Sequence, residues 1–87
     1  MRIGVIAPLY EELEPFAEAI GAGLAEDFGE GSVLPVAFGW HQLFLCRGGV
    51  GKVNAARAAQ SLIDRHQVEA IFNIGTAAAI APGLDIG

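Results

Sequence analysis

Cations are scarce in this chain: Lys and Arg together number 5 in 87 residues, against 10 Asp and Glu, for a net charge of −5. No two of the five are adjacent, so no basic patch for a nucleic-acid backbone is encoded. Cysteine is scarcer still. Cys46 stands alone, cannot close an internal disulfide, and lies in an apolar run where a small buried core residue is expected ahead of a reactive thiol. His41 and His66 have no Cys, His or carboxylate at metal-ligand spacing, so neither a metal nor another cofactor is expected. No Ser-centred G-x-S-x-G elbow is present. Long apolar runs are also missing. The opening MRIGVIAPLY has one basic residue and is too short for a signal peptide or a membrane span, which makes a cytoplasmic protein without membrane contact the expectation.

What the chain does have is apolar mass. Hydrophobic residues make up 53%, charged residues only 17%, Gly numbers 12, and mean hydropathy is +0.47. Eighty-seven residues make one small domain with a high surface-to-volume ratio. So apolar a composition implies part of a larger fold, or a surface covered by a partner. Near-continuous apolar runs suit strands buried on both faces and flanked by helices.

The first such run, Arg2–Ala7, predicts a central strand. After a turn at Pro8, Leu9 and Tyr10, the spacing of Leu13, Phe16, Ala17, Ile20 and Leu24 predicts a helix from Glu11. Pro15 is tolerable only near its first turn, and Glu11, Glu12 and Glu14 there oppose the helix dipole favourably. Gly21 and Gly23 end it, and residues 26–32, EDFGEGS, read as an acidic surface loop. Residues 33–38 and 42–47 form two strands joined so tightly at Gly39-Trp40-His41 that a hairpin is required. Pro35 places the first of them at an edge. A second helix is expected over 51–66, with Val53, Ala56, Ala59, Leu62 and Ile63 as its apolar stripe. His66 near its last turn suits the dipole, whereas His41 beside Trp40 suits an exposed or interface position. Residues 68–74 give another buried strand, and Gly75 begins a turn of small residues. The order β-α-β-β-α-β predicts an α/β fold: a mixed, mostly parallel sheet flanked by helices.

One stretch organises the rest: residues 47–59, RGGVGKVNAARAA. It is a strand end, a glycine turn and a helix start, an arrangement that aims backbone N–H groups at whatever binds above the sheet. Two well-known glycine motifs fail here. A P-loop would need Gly at Cys46 and Ser or Thr at Val53; a dinucleotide fingerprint would need Gly or Ala at Asn54. In parallel sheets ligands sit beyond the carboxyl ends of the strands, where three loops converge: residues 7–12, 47–52 and 75–79. Glu12 is the candidate carboxylate of that convergence, although spacing alone describes a dipole-stabilising residue equally well. Gly75-Thr76 offers a hydroxyl and free amides, which a plain turn would also have.

Three blocks taken together are more specific. Met1-Arg2-Ile3-Gly4-Val5-Ile6-Ala7 with Glu11-Glu12, Gly49-Val50-Gly51-Lys52-Val53-Asn54-Ala55-Ala56, and Phe72-Asn73-Ile74-Gly75-Thr76-Ala77 with Ala81-Pro82 follow one another along the chain. They closely resemble the N-terminal part of the bacterial 5′-methylthioadenosine/S-adenosylhomocysteine nucleosidases, members of the nucleoside phosphorylase superfamily. The resemblance implies the N-terminal portion of that fold and hydrolysis of a purine nucleoside's N-glycosidic bond. It implies Glu12 as the carboxylate that positions and activates water, and Leu9 and Val50 as apolar contacts to the 5′ substituent. Thr76 would match a Ser that holds the catalytic aspartate; Ala77 and Ala78 would border the nucleoside. It also implies a small-molecule nucleoside substrate and a homodimer whose partner closes the 5′ pocket.

The phosphorylase branch has Arg where Asn73 stands, which favours water over phosphate as nucleophile. The family's Met–Glu–Glu–Glu run becomes Leu9-Tyr10-Glu11-Glu12, and its Gly-Ser-Ala-Gly-Gly becomes Gly75-Thr76-Ala77-Ala78-Ala79. The lost glycines leave S-adenosylhomocysteine-like and futalosine-type nucleosides both open. Family members continue well past Gly87, and that continuation carries the general acid, the ribose-binding carboxylate and most of the purine pocket. The expectation is a partial domain over residues 1–87 that is inactive alone. A phosphorylase, or a non-catalytic fragment needing a C-terminal partner, is the alternative.

Overall fold

In a computed structural model, residues 1–74 are described; Gly75, Thr76, Ala77, Ala78 and Ala79, and with them the small-residue turn, lie outside the described residues. Six elements follow one another: β1 (Arg2–Ala7), α1 (Tyr10–Ala19), β2 (Val33–Phe38), β3 (His41–Arg47), α2 (Lys52–His66) and β4 (Ala70–Asn73). They build a four-stranded sheet in the order β2-β3-β1-β4. β1 runs parallel to β3 and to β4, and β2 is antiparallel to β3. β1 is therefore central, as its two-sided apolar pattern requires, and Pro35 sits on the edge strand opposite Phe44, where a missing N–H costs no ladder bond to a further neighbour.

Side chains alternate across the sheet, and the two faces collect two cores. On one face Val5, Ala7, Leu43 and Leu45 meet Leu13 and Ala17 of α1. On the other, Ile6, Phe44 and Cys46 meet Ala58 and Leu62 of α2 together with Val68. The β2–β3 hairpin turns in two residues, with Gly39 at φ 61, the left-handed conformation a tight two-residue turn needs at its first position.

Local signals placed the element ends closely. α1 stops at a Schellman turn: Gly21, at φ 80, donates to Glu18 O at 3.0 Å and Ala22 donates to Ala17 O at 2.8 Å. Leu24, expected as a helical position, lies beyond that turn and packs on the α1 core from the loop. Pro15 lies inside the helix, one residue deeper than expected. It is exposed, and its ring removes the N–H that would reach Glu11 C=O.

The stripe expected on α2 is corrected. Val53 is 70% exposed and Ile63 45% exposed, whereas Ala58 and Leu62 are buried. The small residues face the sheet because the approach is close. A Cβ on Gly4 would come 2.8 Å from Leu62 Cδ1, and one on Gly48 3.2 Å from Ala58 Cβ. β4 is also shorter than the apolar run over 68–74, because Val68 is drawn into the α2 core and pairing begins at Ala70.

Candidate functional site at the carboxyl end of the sheet

Ala7 and Arg47 end β1 and β3 side by side in register, and Gly48 N–H donates to Ala7 O at 2.8 Å. β4 joins the same edge from the other side of β1, through Ile74 N–H to Ile6 O at 2.7 Å. Two of the three loops expected to converge, 7–12 and 47–52, thus leave from adjacent strand ends. The third, with Thr76, Ala77 and Ala78, lies outside the described residues.

Leu9 is the N-cap of α1, extended at φ −124 and ψ 152, with no side-chain cap bond. Its carbonyl accepts from Glu12 N at 3.1 Å and Leu13 N at 3.2 Å, so the helix begins abruptly beyond β1. Glu11 and Glu12 occupy the first turn, close to backbone N–H groups without helical partners. Glu11 is exposed and Glu12 is not. Glu12 Oε1 is closed off from solvent without a hydrogen-bond partner among the described residues. A buried carboxylate oxygen left unpaired is costly in a folded protein, so its partner is a group other than the described residues: another part of the chain, a bound water or a ligand. Spacing alone could not separate Glu12 from Glu11 and Glu14; this atom does.

Leu9 and Val50, 41% and 65% exposed, put apolar surface on the two loops that leave this end of the sheet. Val50 is held by a residue of the same sequence block that was given no role of its own. Asn54 Nδ2 donates to Val50 O at 2.7 Å, stiffening a loop whose Gly49 and Gly51 take φ 85 and 102. Asn four residues after an apolar loop residue, one turn into a helix, was the available signal. A Cβ at Gly49 would also stand 3.1 Å from the Glu30 carboxyl carbon, which a small shift of that side chain could relieve, so the positive φ is what calls for glycine there.

Arg47 was missed as well. Its backbone and side chain clip loop 26–32 to the end of β3: Gly31 N–H donates to Arg47 O at 2.7 Å, and Arg47 Nη1 donates to Phe28 O at 3.0 Å. The surroundings are acidic. Burial first, then the carboxylates of Glu14, Glu26 and Glu18, push the Tyr10 phenol above its ordinary pKa. On the other face of the sheet burial does the same to the Cys46 thiol, which suits an inert core residue. A cleft of about 440 Å³ also opens on the α2 side, lined by Glu30, Asn54, Arg57, Ser61 and Arg65 among others; Glu12, Leu9 and Val50 have no part in it. Among the described residues no three His, Cys, Asp or Glu side chains gather as a metal site, and no helix is long and apolar enough to cross a membrane.

A mixed, mostly parallel α/β sheet with a carboxylate and a glycine turn at its carboxyl edge belongs to a broad class of ligand-binding folds. Within that class the chain belongs to the phosphorylase superfamily, whose family model matches residues 2–87. It is similar to the 5′-methylthioadenosine/S-adenosylhomocysteine nucleosidase of Maridesulfovibrio salexigens, 36% identical over 96 residues that cover 100% of this chain and 38% of the relative. Among solved structures it is similar to the S-adenosylhomocysteine nucleosidase of Streptococcus pyogenes in complex with 5-methylthiotubericidin. There the identity is 32% and the TM-score 0.68, over 84% of this chain and 31% of that one. The nucleosidase of Streptococcus pneumoniae in complex with 8-aminoadenine gives a TM-score of 0.69 at 27% identity, over 84% of this chain and 32% of that one. The chain spans 38% of the length of the curated relatives it matches. The resemblance drawn from the three sequence blocks is borne out.

Proposed function

We propose that this chain forms the water-holding side of a purine nucleosidase site, acting on a nucleoside such as 5′-methylthioadenosine or S-adenosylhomocysteine. The supporting observation is Glu12: a carboxylate in the first turn of α1, at the carboxyl edge of the sheet, with one oxygen enclosed and without a partner among the described residues. Breaking an N-glycosidic bond builds positive charge on the sugar. A carboxylate beneath the ring orients water toward the anomeric carbon and accepts its proton as the carbon–oxygen bond forms. The bond to the purine breaks, and its electrons leave with the base, which takes up a proton from an acid on the opposite face. That acid, the ribose-binding carboxylate and most of the purine contacts lie beyond Gly87 in this reading. Leu9 and Val50 meet the 5′ substituent, and Thr76, Ala77 and Ala78 border the nucleoside.

A cytoplasmic homodimer belongs to the same reading. Val50, Val53, Ile63 and Phe72 are large apolar side chains left exposed, and Trp40 in the hairpin turn is 96% exposed. The phosphorylase alternative draws on the same fold, but Asn73 supplies no charge for phosphate.

The test is adenine release from 5′-methylthioadenosine and S-adenosylhomocysteine. It compares the 87-residue chain with a form extended past Gly87 by the C-terminal portion of the Maridesulfovibrio salexigens relative. Release by the extended form, without phosphate and lost in its Glu12→Gln variant, is expected. Release that requires phosphate would move the assignment to the phosphorylases. No release from any purine nucleoside by the folded, extended form would leave a non-catalytic module.

A further inference from the structure

The five cations of the chain are unevenly placed. Arg2 stands on the α2 face, its guanidinium carbon 4.9 Å from the centre of the Phe44 ring, and Lys52, Arg57 and Arg65 belong to α2 itself. Arg47 alone falls on the α1 face, in the alternation that turns Leu43 and Leu45 toward α1. Seven of the ten acidic residues, Glu11, Glu12, Glu14, Glu18, Glu26, Asp27 and Glu30, lie on α1 and on the loop that follows it.

Two side-chain atoms among the described residues are buried without a hydrogen-bond partner, Glu12 Oε1 and Arg47 Nε. One is an acceptor and the other a donor. Both belong to the α1 face, and both sit at its carboxyl end: Glu12 in the turn that follows β1, and Arg47 in register with Ala7, the last residue of β1. Arg47 Nη1 is already engaged with Phe28 O, which fixes the guanidinium plane and leaves Nε–H turned inward. Two isolated orphans would each be a defect; opposite ones in the same corner are complementary.

We propose that Arg47 is a positioning residue for Glu12. Its Nε–H serves the enclosed Oε1, through one bridging water or by closure of the corner when substrate binds, so that Oε2 is left facing the nucleophilic water. This inference rests on the nucleosidase reading.

The first measurement is a urea-unfolding cycle on the 87-residue chain with Glu12→Gln, Arg47→Gln and both. Coupled side chains give a double variant whose midpoint is no lower than that of the worse single variant. Strictly additive losses overturn the proposal. The second is kcat and KM for base release by the extended form. In Arg47→Gln, kcat should fall about ten-fold, a part of what a general base contributes. KM should change little, and Arg47→Lys should recover part of the lost kcat. Gly31→Ala, strained at φ 82, loosens the same loop without touching the guanidinium and should leave kcat near that of the parent. A kcat that falls equally in Gly31→Ala, or not at all in Arg47→Gln, makes Arg47 a loop clip only and overturns the proposal. If Glu12→Gln abolishes release while Arg47→Gln matches the parent, this inference alone fails. If the unaltered extended form releases no base, the nucleosidase reading fails and takes this inference with it.

Discussion

The two helices cover the two faces of the sheet to very different extents. α1 is shorter, yet its side is the more closed. Leu13 and Ala17 are fully buried, and Ile20, Ala22, Leu24 and Phe28 from the following loop fold in beside them. α2 is half as long again, but it buries only Ala58 and Leu62 and leaves Val53 and Ile63 outward. Coverage therefore depends less on helix length than on what the chain does after the helix ends. α1 is followed by a glycine turn that sends apolar residues back over the sheet, whereas α2 ends at Gln67 in the left-handed conformation and the chain passes directly to β4. The open side carries four of the five cations and the exposed Val53 and Ile63 of α2; the closed side carries Glu12 and Arg47.

The largest effect that separates these readings is expected at neighbouring positions of α2. Leu62→Ala should cost about 2–5 kcal/mol, because a fully buried leucine leaves a cavity between helix and sheet. Ile63→Ala, one residue on, should cost about 1 kcal/mol or less, since that side chain is already half in water. Urea unfolding of the two variants checks the helix orientation directly. Equal losses would mean that the stripe first expected on α2, with Val53 and Ile63 inward, is the true one.

Next in size is Gly48→Ala, which tests why the small-residue side of α2 was chosen. An added methyl would stand 2.9 Å from Ile6 Cγ2 and 3.2 Å from Ala58 Cβ. The second atom is anchored to the helix backbone and cannot swing away. The helix must back off the sheet, at about 1–3 kcal/mol. A loss in thermal stability is expected that Ala58→Gly, by removing the opposing methyl, partly reverses in the double variant.

These cases show what could be read from residues alone. Three placements followed from local patterns: a two-sided apolar run for central β1, a proline for edge β2, a short link for the hairpin. β4 did not, since residues 68–74 read as a buried strand, whereas β4 lies at the edge of the described sheet with Phe72 59% exposed. Facing in α2 could not be read, because alanines and β-branched residues give that helix two apolar stripes. Choosing between them needs the glycines of other elements, Gly4 on β1 and Gly48 after β3. The same limit applied at the candidate site. Glu12 could be named, but not separated from Glu11 and Glu14, because the distinguishing fact is an enclosed oxygen set by packing. Arg47 could not be named, because its importance comes from being the single cation on one face of a sheet.

The smallest effect addresses the closed side. Gly21 sits at φ 80, and no atom lies within 4 Å of the place a methyl group would occupy, so alanine there meets no clash and bears only the cost of left-handed backbone. Gly21→Ala should therefore cost about 1 kcal/mol. The consequence should still be selective. The Schellman turn aims Ala22, Leu24 and Phe28 onto the α1 core, and Leu24 O accepts from Tyr10 Oη at 3.3 Å. Weakening the turn frees that loop before it affects the sheet. Amide exchange should quicken at Ala22 and Phe28, whose N–H groups bond Ala17 O and Ala25 O, while Val5 and Leu45 in the central strands keep their protection. Uniform quickening across both faces would mean that the loop is not what closes the α1 side, and that its tighter core arises from the sheet itself.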